Sequence, residues 1–205
     1  MRETIILKLV DQPVTSVMEQ MGHPSPELGG SSAAILAGLL GLSMVRMALS
    51  VSASHQEERA RQALADVDGL ALRLSVLADD DRTAFNVYLQ AMKSDQRVES
   101  EMHAAALATF NALFAATEAL VAALELSERT AEGIAKSVES DLFGGAALLD
   151  ASFSGLAFAI ETNLRPERMA AERQTITQRL VSLDAKRKKA YGLITKRAGA
   201  AGFGS

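Results

Sequence analysis

Apolar positions along this chain recur mostly every three or four residues, a spacing that predicts helices almost throughout. Thr15-Ser16 reads as the cap of a short helix, Val17 to Met21, stopped by Gly22 and the Pro24/Pro26 pair. A run of small and apolar residues follows, about Ser31 to Ser52, apolar on every side. That is the pattern of a central helix surrounded by others. Glu57 to Leu77 is amphipathic instead, with Ala60, Ala63, Leu64, Val67, Leu70, Leu72, Leu74 and Leu77 giving it one apolar face. The acidic run Asp79-Asp80-Asp81 is expected to end that helix or to start the next, Arg82 to Lys93, because acidic residues suit a helix N-terminus.

Downstream, Ser94 to Arg97 reads as a polar turn and Glu99 to Leu126 as a long alanine-rich helix. Ser127 is expected to cap a short helix containing Thr130 to Lys136. Phe143 to Ile160 is a second all-round apolar helix, broken by Asn163 to Pro166. Glu167 to Lys196 forms a last, charged helix before a Gly-rich tail. No run has strand alternation with turn chemistry at both ends, and there is no internal repeat. The expected fold class is therefore all-α: a single-domain helical bundle over residues 1–197, two small-residue helices at its centre, and a flexible tail at 198–205.

Composition narrows this picture. The chain is 48% hydrophobic and 22% charged, which places it among folded proteins. Aromatics make up only 4%, so close helix packing through small side chains is expected. A net charge of −4 does not suggest nucleic acid as a partner. There are no cysteines, which excludes disulfides and thiolate metal sites and is compatible with a reducing compartment; a cytoplasmic location is expected. The N-terminal apolar run is too short for a secretory signal. Ala33 to Val51 is long enough to span a bilayer, but it carries Arg46, Gly38, Gly41 and four alanines. The reading preferred is a buried helix, with no membrane partner.

Candidate chemistry is sparse. No Gly-Lys-Ser/Thr loop and no Gly-x-Ser-x-Gly elbow is present. His23, His55 and His103 lie far apart without metal-type spacing, so no metal is expected. Carboxylates beside polar segments remain. Asp81 reads either as a helix cap held ionised by backbone N–H groups or as a general acid/base beside a pocket. Ser140-Asp141, opening the second central helix, allows the same two readings. Asp150 is a lone acid in an apolar helix and needs a partner, for which Arg46 is the candidate. The basic run Lys186-Arg187-Lys188-Lys189 reads as a solvated face.

Three stretches share one resemblance. Pro24-Ser25-Pro26, then Gly29-Gly30-Ser31-Ser32 and Ala37-Gly38-Leu39-Leu40-Gly41, is similar to the Pro-Thr-Pro-Gly-Gly-Gly-Ser loop and small-residue helix of the formimidoyltetrahydrofolate cyclodeaminase / methenyltetrahydrofolate cyclohydrolase family, with Glu27-Leu28 as an apparent insertion. Asp81-Arg82-Thr83-Ala84-Phe85 resembles its Asp-x-x-Ala-Phe motif. Ser140-Asp141 through Gly155 to Asn163-Leu164 resembles its Ser-Asp motif and following helix. The resemblance implies a cyclodeaminase-like helical fold, usually a homodimer, acting on tetrahydrofolate or a related reduced pterin in one-carbon metabolism. It implies Asp81 as the catalytic acid/base. It implies contacts to the pterin from Pro26, Gly29, Gly30, Ser31, Ser140, Asp141 and Asn163. The sequence departs from the family where a Gly-Lys-Lys-Lys-Tyr run is usual, here Ser52 to Glu57, and where Lys-Leu-Pro follows the Ala-Phe helix, here Lys93-Ser94-Asp95. These departures remove cations suited to a folate tail. Two further readings therefore stay open: a non-catalytic pterin-binding or assembly protein on the same fold, and an unrelated structural bundle.

Overall fold

A computed structural model describes residues 7–23, 28–53, 57–94 and 98–202. Six α-helices account for most of them: α1 Val14–Gly22, α2 Gly30–Ser52, α3 Glu57–Lys93, α4 Glu99–Thr130, α5 Glu139–Asn163 and α6 Arg173–Ala200. Short 3₁₀ turns lie at Leu9–Asp11, Ala131–Gly133, Lys136–Val138 and Glu167–Met169. Among the described residues there is no strand.

The two small-residue helices are the centre of the bundle. α2 and α5 run antiparallel and make the most extensive contact in the molecule. Small side chains permit this: a Cβ added to Gly41 would lie 2.7 Å from the Gly145 carbonyl oxygen, and one added to Gly145 would lie 2.7 Å from that of Gly41. Glycine is required at this crossing because backbone, not side chain, fills the space. α3 packs on the other side of α2, α4 closes over α3 and α5, and α6 lies outermost against α4 and α5. Phe114, Phe153, Leu42, Leu120, Leu149 and Leu156 fill the interior. Three segments, Gly30–Ser52, Glu99–Gly133 and Lys136–Asn163, are long and apolar enough to cross a membrane by length and composition. In this fold they pack on one another.

Several expectations are corrected. The acidic run does not interrupt a helix: α3 passes through Asp79-Asp80-Asp81 for 37 residues. Tertiary partners outweigh the local capping signal there. Asp79 accepts the Leu9 N–H at 3.0 Å and pairs with Arg82 at 3.0 Å, and Asp81 is hydrogen-bonded from α2. Ser127 caps nothing. It lies inside α4, its hydroxyl donating to the Ala123 carbonyl at 2.8 Å. Asp150 pairs not with Arg46 but with Arg187 of α6. Arg46 reaches Asp68 of α3 at 2.5 Å. The basic run of α6 is thus not wholly a solvated face, since Arg187 turns inward onto Asp150 and the Phe153 ring. At the C-terminus, α6 continues as helix to Ala200.

Candidate active site

The N-terminal end of α2 meets the middle of α3 at one polar point in an otherwise apolar contact. Gly29 is the N-cap of α2 and Gly30 its first residue, so Ser31 and Ser32 stand in the first turn. Both hydroxyls donate to the same carboxylate oxygen: Ser31 Oγ to Asp81 Oδ2 at 2.8 Å, and Ser32 Oγ to Asp81 Oδ2 at 3.1 Å. Asp81 is only 4% exposed. Burial pushes its pKa above the ordinary carboxylate value, and the two serine hydroxyls oppose that shift without cancelling it. Its other oxygen, Oδ1, has no hydrogen-bond partner among the described residues.

Such a carboxyl is suited to proton transfer. Burial makes this carboxyl hold its proton more readily than a solvated one, the direction that general acid/base work needs. The Asp81 geometry also replaces the expectation drawn from sequence. Asp81 is not at a helix start, so α3 offers it no free N–H groups, and what steadies its charge comes from Ser31 and Ser32 on another helix.

The remaining candidates divide between the two ends of the bundle. Gly29, Gly30 and Ser31 are beside Asp81. Asn163, the last residue of α5, lies at the same end because α5 is antiparallel to α2. Ser140 and Asp141 stand in the first turn of α5 at the opposite end. Twenty-two residues separate Asp141 from Asn163, about 33 Å of helix. Within one chain, Asp141 therefore does not meet Asp81. Pro26 lies outside the described residues, as does Glu27 of the apparent insertion. Among the described residues, no three or more His, Cys, Asp or Glu side chains are grouped to hold a metal ion.

Sequence reasoning missed Ser32 as a carboxylate partner, although it is adjacent to Ser31. It also missed Arg168 and Tyr88. Arg168, in the turn between α5 and α6, donates through Nη2 to the Tyr88 hydroxyl at 2.5 Å. Nothing in the local pattern around Arg168 signals that contact, which joins residues eighty positions apart.

The comparisons with known proteins agree with this fold. The family model for formiminotransferase-cyclodeaminase matches residues 13–181. The chain belongs to this family. A solved structure, formiminotetrahydrofolate cyclodeaminase from Thermotoga maritima, superposes with a TM-score of 0.84 at 18% identity, covering 91% of this chain and 96% of that one. At that identity the superposition speaks for the helical fold. None of the curated proteins matches the sequence. The family reaches from α1 through the first turns of α6, so Asp81, the α2 loop and the Ser140-Asp141 turn all lie within the matched segment.

Proposed function

We propose that this chain is an enzyme of folate one-carbon metabolism, acting as a methenyltetrahydrofolate cyclohydrolase or a formimidoyltetrahydrofolate cyclodeaminase, with Asp81 as its proton-transfer group. The observation that carries the reading is the buried Asp81 carboxyl, raised in pKa and held by Ser31 and Ser32 in the first turn of α2, within the family's match. Both reactions pass through a tetrahedral carbon between two nitrogens. In the hydrolysis, water adds to the methenyl carbon, and Asp81 accepts the proton that the water loses. The same carboxyl then returns the proton to the departing nitrogen as its C–N bond breaks, while the carbinol oxygen loses its remaining proton to solvent and becomes the formyl C=O. In the cyclisation, a ring-closing nitrogen attacks the formimidoyl carbon and loses its proton to Asp81, and that proton leaves with ammonia. One group thus serves as base and then acid, which requires a pKa near the working pH.

The N–H groups of the first α2 turn are the proposed donors to the ligand, the Ser31 oxygen, whose proton goes to Asp81, is a proposed acceptor, and Gly29 and Gly30 allow close approach. Asn163 would border the same end.

A homodimer is part of the reading. α2 and α5 share an outward face without a charged residue, made of Leu36, Leu40, Met44 and Met47 on one helix and Leu148 and Phe158 on the other. Leu40 is 63% exposed and Phe158 69%. An antiparallel pairing of two copies across this face would cover it and would bring the Asp141 end of one chain alongside the Asp81 end of the other, giving Asp141 its role. Sedimentation velocity tests this directly: a dimer is expected, and a monomer at micromolar concentration removes Asp141 from the proposal.

The activity test is the loss of methenyl absorbance and, separately, release of ammonia from formimidoyltetrahydrofolate, with Asp81→Asn beside the parent chain. Turnover of either substrate that drops by about 10²- to 10⁴-fold in the variant is expected. No turnover of either above the buffer rate would overturn the reading in favour of a non-catalytic binder.

A further inference from the structure

We infer that Arg168, braced by Tyr88, is a carboxylate-binding residue of the site built around Asp81, and that it holds the acidic tail of the substrate. This deepens the folate reading and rests on it. Arg168 is half-buried, yet it has no carboxylate in ion-pair range among the described residues. Its Nη2 donates to the Tyr88 hydroxyl at 2.5 Å and lies 3.5 Å from the Met92 sulfur, and its guanidinium stands 5.6 Å from the centre of the Tyr88 ring. Its Nε–H is buried with no partner. Glu172, on the same turn, has Oε1 3.1 Å from His103 Nε2 and a buried Oε2 without a hydrogen-bond partner, and neither oxygen is in ion-pair range of Arg168. A guanidinium partly withdrawn from water, with neutral hydrogen-bond partners and no carboxylate in ion-pair range among the described residues, carries a desolvation cost that those contacts offset only in part. An anionic ligand removes that cost, and a guanidinium fork matches a carboxylate.

The position fits a tail rather than a reacting centre. Tyr88 is seven residues beyond Asp81, two helical turns on the same face of α3 and about 10 Å along it. In a reduced folate the one-carbon unit and the glutamate carboxylates stand at opposite ends of a p-aminobenzoyl spacer. With the one-carbon unit at Asp81, the carboxylates fall toward Tyr88 and Arg168. The lysines that the family usually carries are missing from this chain, and Arg168 offers a cation at another place in the fold.

The test is calorimetric titration of the full chain with two ligands. One is tetrahydrofolate; the other is 6-methyltetrahydropterin, which keeps the pterin ring and lacks the carboxylates. Arg168→Gln is expected to weaken tetrahydrofolate by about 10- to 100-fold and to leave 6-methyltetrahydropterin unchanged. Tyr88→Phe keeps the charge, loses its brace, and is expected to show a smaller loss of the same selectivity. In turnover, Arg168→Gln raises KM and spares kcat. Equal loss of both ligands, or no loss of either, overturns the inference while leaving Asp81's role intact. A parent chain that binds neither ligand overturns the folate reading, and this inference falls with it.

Discussion

The two faces of α2 do different work. Toward α5 the helix presents Gly41, which meets the Gly145 backbone, and Gly38, which makes room for the Ser152 and Leu120 side chains; the Ser152 hydroxyl donates across this contact to the Ala34 carbonyl. Toward α3 it presents Ser31, Ser32 and Arg46, and the contact carries the buried Asp81 together with an exposed ion pair to Asp68. The first face fixes how close the helices come. The second places a carboxyl where burial changes its chemistry. A rigid seam on one side allows the other to hold a group that is costly to bury.

The largest expected effect breaks the seam. Gly41→Leu forces a side chain into the Gly145 carbonyl, so the helices must separate, and a loss of more than about 3 kcal/mol is expected. Denaturant unfolding checks it; a variant within about 1 kcal/mol of the parent would refute the close crossing.

Next comes the chemical face. Asp81→Asn removes the proposed proton-transfer group but also removes a carboxylate whose charged form burial disfavours. Because the folded-state pKa lies above that of the unfolded chain, this group favours folding while protonated, and that contribution is lost as pH rises through the folded-state value. At neutral pH the inactive variant should therefore melt higher, by roughly the 2–4 °C that about 1 kcal/mol gives in a chain of this length. A lower Tm would mean that the two serines outweigh burial.

A subtler change separates burial from hydrogen bonding. The Ser31 hydroxyl lowers the Asp81 pKa, so Ser31→Ala should raise it further and move the acid limb of the rate profile to higher pH. An unmoved limb would assign that limb to another group. The smallest effect lies away from both faces. Gly69 is exposed on α3 with open space around its Cα, and Gly69→Ala should stabilise by about 0.5–1 kcal/mol, read as a shift in denaturant midpoint.

Much of this protein was legible in the residue pattern. The all-helical class, the two small-residue central helices, and the loop leading into α2 follow from periodicity, from glycine content and from family resemblance. Partners were not legible. Asp79 to Asp81 looks locally like a helix boundary, and only Leu9, Arg82, Ser31 and Ser32, brought in from elsewhere in the fold, make those acids acceptable inside α3. Arg46 and Asp150 appear as the obvious pair in an apolar sequence, yet α3 and α6 deliver Asp68 and Arg187 to them instead.

The sequence by itself determined which segments are helical and which of them must be buried, because hydrophobic periodicity and small-residue content act over a few turns of chain. Only the tertiary structure decided that Asp81 is buried, with its pKa raised, rather than a solvated cap, that Asp141 stands at the far end of the same bundle, and that Arg168 reaches Tyr88. Those outcomes depend on which helices lie side by side. Contacts between residues fifty or eighty positions apart leave no local trace, because their energies arise only when packing removes water from both partners at once.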